Sequence, residues 1–89
     1  MAEIRKIACA GTDEKSDFLV EIAPYDNGIV LELQSVVKNQ YGADIEKAVR
    51  EVLQSLGIEN AYVKANDRGA LDPVLRARVE TAAKRAMED

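Results

Sequence analysis

The sequence predicts an α+β fold, a small mainly antiparallel sheet with two helices packed on one face. Three features carry that expectation. Apolar residues alternate with period 2 over 18–23 and again over 29–34. The period switches to 3.6 from Ala43, and a second helix-period stretch opened by Asp72-Pro73 closes the chain. The elements then run β, β, β, α, β, α in 89 residues, a length that suits one domain over 1–89.

A short first strand falls between Ile4 and Ala10, where Ile4, Ile7, Ala8 and Cys9 supply the apolar side chains. The polar stretch Gly11 to Lys15 follows as a loop. From Asp17 the pattern sharpens: Phe18, Val20 and Ile22 face one way, Leu19, Glu21 and Ala23 the other. Pro24 cannot continue a central ladder, and Tyr25-Asp26-Asn27-Gly28 has turn chemistry. Ile29, Leu31 and Leu33 then alternate with Val30, Glu32 and Gln34, so the two strands read as a hairpin joined through Asn27-Gly28. Ser35 either caps a short helical turn through Val36 to Lys38 or extends the strand.

Ile45, Ala48, Val49, Val52, Leu53 and Leu56 recur every three or four residues and form an apolar stripe from Ala43 to Leu56. Glu46, Lys47, Arg50 and Glu51 sit opposite as helical neighbours, Asp44 is placed to cap the helix or complement its N-terminal dipole, and Gly57 suits the position just past the helix. Ala61, Val63 and Ala65 predict a fourth strand, and Asn66-Asp67-Arg68-Gly69 a turn. Asp72 as cap and Pro73 as first helical residue start the last helix, whose stripe is Leu75, Val79, Ala82, Ala83 and Ala86.

Composition narrows the chemistry. With 47% hydrophobic and 31% charged residues the chain is expected to fold. Aromatics are confined to Phe18, Tyr25, Tyr41 and Tyr62, so the core is aliphatic. A net charge of −4 disfavours a nucleic-acid partner. One cysteine, Cys9, rules out an internal disulfide and suits a reducing cytoplasm. The chain has no histidine, so neither a serine–histidine nucleophile nor a structural zinc site can be assembled. The charged start Met1 to Ile7 is no signal peptide, and no run approaches the roughly 18 apolar residues of a membrane span. A cytoplasmic chain with no membrane partner is the expectation.

Chemistry has one plausible location, the loop Ala10-Gly11-Thr12-Asp13-Glu14-Lys15-Ser16-Asp17. On position alone Ser16 is an ordinary loop serine satisfied by water. It is also fit to accept a covalent group from another enzyme, which demands only exposure. Asp13 and Glu14 are either a carboxylate dyad or a solvated loop edge. Cys9 reads as a small core residue rather than a reactive thiol. Arg76 and Arg78, two apart on a helix, do not share a face; one is placed to meet an anion or a partner's carboxylate, or both are solvated.

Two segments together resemble the acyl carrier protein (gamma) subunit family of citrate lyase. One is Ala10-Gly11-Thr12 with its acidic, serine-bearing turn, Asp17 and a strand ending Ile22-Ala23-Pro24. The other is Asp67-Arg68-Gly69-Ala70-Leu71-Asp72 with Val74-Leu75-Arg76-Ala77-Arg78-Val79-Glu80. The similarity covers nearly the whole chain in order, including Tyr41-Gly42 to Leu56. It implies an acyl-carrier-like domain with no activity of its own. A loop serine carries 2'-(5''-phosphoribosyl)-3'-dephospho-CoA through a phosphodiester, and the terminal thiol of that group holds acetyl or citryl as a thioester. The implied partners are the citrate lyase alpha subunit (acyl transferase), the beta subunit (lyase) and the transferase that installs the prosthetic group. The Asp-Ser-Leu triplet of the all-helical acyl carriers is absent.

The family's usual loop reads Gly-Thr-Leu-Glu-Ser, then Ser or Gly, then Asp. Counting from Gly11 puts the modified serine at position 15, which is Lys15 here, and Ser16 stands next to it. Lysine cannot form the phosphodiester. Either Ser16 takes the attachment one residue along, or the chain is an unmodified structural or assembly subunit that docks the same partners. A carrier for a related citramalate lyase or malonate decarboxylase system would differ only in its acyl group.

Overall fold

The computed structural model describes residues 3–35 and 38–88. Its elements are β1 (Ala8–Ala10), β2 (Phe18–Ala23), β3 (Ile29–Ser35), α1 (Lys38–Ser55), β4 (Ala61–Asp67) and α2 (Asp72–Met87), in the expected order. The four strands form one sheet ordered β1-β2-β4-β3. β1–β2 and β2–β4 are antiparallel, whereas β3–β4 is parallel, so the sheet is mixed with an antiparallel majority.

The expected β2–β3 hairpin does not form: both strands are present, but β4 lies between them. Pro24 ends β2 at Ala23, leaving five residues before β3. That is enough chain to cross two strand spacings, about 9.6 Å. The Asn27-Gly28 signal is a local one, and a more extensive interaction overrides it. β4 buries Ala61, Val63, Ala65 and Asp67 on its inner face, a pattern that suits a central strand covered by helices. β3, whose inward residues are only half-buried, takes the edge. Gly28 then serves the inserted strand: its carbonyl accepts from the Ala61 N–H at 3.0 Å, and its N–H donates to Asn60 Oδ1 at 2.8 Å. The true hairpin is β1–β2, in register Ala8↔Ile22 and Ala10↔Val20.

Register places Phe18, Val20 and Ile22 on the face shared with Ala61, Val63 and Ala65. Both helices cover that face, α2 against β1 and β2, α1 against β3, with the helices packed on each other. The core joins those strand residues to Ile45, Ala48, Val49 and Leu53 of α1 and Leu75, Val79, Ala82, Ala83 and Ala86 of α2. Small residues on α2 let its backbone approach closely. The opposite sheet face, with Glu21, Tyr62, Lys64 and Glu32, has no helix over it.

Element ends differ in detail from expectation. α1 starts at Lys38, so Asp44 lies inside the helix instead of capping it. Its C-terminus is a Schellman motif: Gly57 has φ +75, its N–H donates to the Gln54 carbonyl, and the Ile58 N–H donates to the Leu53 carbonyl. The N-cap of α2 is Leu71, with no side-chain cap; Asp72 is the first helical residue and Pro73 the second. Asp72 instead accepts from Arg76 Nε at 2.7 Å, one turn on. Asn66 and Asp67 belong to β4, and the turn is at Arg68-Gly69. β1 is shorter than expected, though Ile4 before it is still buried. Ser35 ends β3; the helical turn through Val36 and Val37 lies outside the described residues.

Candidate functional site

The loop singled out in the sequence connects the β1–β2 hairpin, residues 11–17 between Ala10 and Phe18. Gly11 closes its near side with φ +91. A Cβ at Gly11 would lie 1.8 Å from the Phe18 carbonyl oxygen, so only glycine fits where the two ends of the loop cross.

Asp17 organises the rest. Its Oδ2 accepts from the Thr12 hydroxyl at 2.7 Å, and its Oδ1 from its neighbour's N–H, Phe18, at 2.7 Å. Arg78 of α2 grips both oxygens, Nε to Oδ1 at 3.1 Å and Nη2 to Oδ2 at 3.0 Å. The Thr12 hydroxyl also accepts from the Glu14 N–H at 3.3 Å. The Asp17 side chain is 13% exposed. Its pKa falls to about 2, chiefly through the Thr12 and Arg78 hydrogen bonds and then that of the Phe18 N–H. The loop is therefore tied to the helix that packs beneath it.

A second set of contacts ties it to the end of β4. The Ser16 N–H donates to the Arg68 carbonyl at 2.8 Å and the Arg68 N–H to the Asp17 carbonyl at 3.0 Å. Asp13 accepts from Asn66 Nδ2 at 2.8 Å and from Arg68 Nη1 at 3.3 Å. Beneath this turn, buried Asp67 accepts from the Ala70 N–H at 3.0 Å and the Ser35 hydroxyl at 2.8 Å.

Lys15 and Ser16 sit exposed at the tip. Ser16 is the one described non-glycine residue with positive φ, 67°. That left-handed conformation is one glycine would adopt without strain. It presents a hydroxyl to solvent on a backbone held by Arg68. A covalently attached arm needs an accessible hydroxyl, and the exposed Ser16 fits that requirement.

Other sequence candidates resolve differently. Cys9 is exposed, not a core residue, because β1 is an edge strand and Cys9 pairs with Glu21 on the uncovered face. Arg78 and Arg76 are both engaged inside the chain, Arg78 with Asp17 and Arg76 with Asp72 and Glu51 at 2.7 and 2.8 Å. Both side chains nevertheless remain partly exposed. Asp13 is part of the loop's tether rather than half of a dyad. Among the described residues no group of three metal-ligating side chains occurs, and no helix is long and apolar enough to cross a membrane. Asn66 and Asp67, read as turn residues, instead hold the loop through Asp13 and the turn after β4 through the Ala70 N–H, roles their local pattern did not signal.

The family model described as "Malonate decarboxylase delta subunit (MdcD)" matches residues 5–86. The citrate lyase acyl carrier protein of Halothermothrix orenii is 43% identical over 84 residues, covering 94% of this chain and 89% of its own. That of Escherichia fergusonii is 55% identical over 87 residues, covering 97% and 90%. The chain belongs to the citrate lyase acyl carrier protein family. It is a non-catalytic acyl carrier, and membership of an acyl carrier family implies a covalently attached prosthetic group. The fold of this carrier is also that of a chain in the crystal structure of a Pseudomonas malonate decarboxylase hetero-tetramer in complex with malonate. The TM-score is 0.81 at 20% identity, over 94% of this chain and 87% of that one.

Proposed function

We propose that residues 1–89 form one carrier domain of a citrate lyase-type complex in the cytoplasm, and that Ser16 is its attachment point. The observation that carries this reading is the exposed Ser16 hydroxyl on a loop otherwise fixed by Asp17, Arg68 and Arg78. The attached group is 2'-(5''-phosphoribosyl)-3'-dephospho-CoA, whose terminal thiol supplies the acetyl or citryl thioester. Ser16 Oγ holds the phosphodiester, and Lys15 offsets its charge. Thr12, Asp17 and Arg78 keep the anchor from moving with its load. The partners are the alpha acyl transferase, the beta lyase and the transferase that installs the group.

Intact mass measured after expression in a host with the modifying enzymes tests this. One large adduct is expected on the wild-type chain, mapped to the peptide containing Ser16 and absent from Ser16→Ala. A bare mass in that host would favour the second reading, an unmodified assembly subunit. That alternative is supported by Lys15 standing where the family's loop has its serine.

A further inference from the structure

At the end of the sheet remote from Ser16, aromatic and acidic side chains converge. Tyr25 is 39% exposed and stands edge-on to Tyr62, ring centroids 5.8 Å apart at 68°. Tyr25 also lines a cleft with Glu3, Asp26 and Glu59, all exposed. On the other side Glu32 interacts with the Tyr62 hydroxyl; that interaction, with desolvation second, raises the phenol pKa. Lys64 Nζ lies 6.0 Å from the Tyr62 ring centre. Three carboxylates thus line the cleft with Tyr25 and a fourth lies beside Tyr62, with the Lys64 ammonium near the Tyr62 ring. β2 separates this corner from the loop by its six residues, roughly 17–20 Å of strand.

We propose that this corner docks a basic, arginine- or lysine-bearing segment of one of the larger subunits of the complex, an assignment that rests on the carrier reading above. Tyrosine faces bind guanidinium and ammonium groups, and neighbouring carboxylates take their N–H donors. Tyrosine offers contact area that loses little side-chain freedom on binding, which is why interfaces are rich in it. A second copy of this chain fits poorly, because carboxylates would meet carboxylates. The same charges repel the phosphates of a carrier arm or of nucleic acid. Attachment here holds the domain by one end and leaves the Ser16 loop at the other free to present its load.

Calorimetric titration of the full chain against the purified acyl transferase and lyase subunits of the same organism, at low and high salt, tests the proposal. Binding to one subunit is expected, weakening with salt. Tyr25→Ala should weaken it at least about 10-fold. The double change Asp26→Lys with Glu59→Lys should do the same and flatten the salt dependence. All these residues are exposed, so far-UV circular dichroism and the unfolding midpoint should stay at wild-type values. Ser16→Ala should bind as wild type. Corner variants that bind like wild type would overturn the proposal, as would a wild-type chain that binds neither subunit. Self-association of the free chain abolished by Tyr25→Ala would assign the corner to a second copy instead. The mass adduct remains a separate readout: an adduct with corner-independent binding removes only the docking site, and corner-dependent binding without an adduct removes only the attachment.

Discussion

Asp17 receives donors from a hydroxyl, a backbone amide and a forked guanidinium, and each of these bonds is stronger when the carboxylate is ionised. Its pKa accordingly drops from an ordinary 3.8 to about 2. Between those values the unfolded chain binds more protons than the folded one, so stability rises with pH there. The contribution of Asp17 is complete above about pH 4 and disappears as pH falls through about 2. Urea midpoints measured across that interval should fall steeply for wild type and less steeply for Asp17→Asn. Gly11 makes a different demand, for space. Gly11→Ala combines left-handed strain, about 1–2 kcal/mol, with a 1.8 Å approach to the Phe18 carbonyl. The expected result is a destabilisation larger than the strain alone, read from chemical denaturation, with the loop displaced.

The helices were the most legible parts of the sequence, because a 3.6-residue stripe reports packing that involves the whole element. All five residues assigned to the apolar stripe of α2 are buried. The three alanines among them, Ala82, Ala83 and Ala86, are fully covered and let α2 lie close to the sheet and to α1. Ala83→Leu should therefore cost about 1–3 kcal/mol by overpacking, seen as a lowered melting temperature with little change in helical content. Strand faces were legible for the same reason: period 2 placed Phe18, Val20 and Ile22 inward correctly. Strand neighbours were not. Asn27-Gly28 is a turn signal that says only that the chain bends, and nothing local reveals that the strand beginning at Ala61 will enter the gap. Helix starts failed similarly, since Asp44 and Asp72 have capping chemistry but adopt helical positions.

The site divides along the same line. Its loop and exposed serine could be read from composition, but its supports come from far away in sequence: Asn66, Arg68 and Arg78 lie 53, 55 and 61 residues from their partners in the loop. Ionic partners at such separations carry no pattern. Cys9 was misplaced because the apolar look of its neighbours says nothing about which face of an edge strand it occupies. The late arrival of β4 has a further consequence, in the order in which a ribosome releases the chain. When only residues 1–60 have been translated, β2 and β3 both exist as sequence but the strand that joins them does not, and neither Arg68 nor Arg78 has been made. The hairpin loop is translated first, yet the shape that holds Ser16 is assembled with residues 53 to 61 positions later. Any enzyme that read that shape would meet it only after α2 had been made and packed.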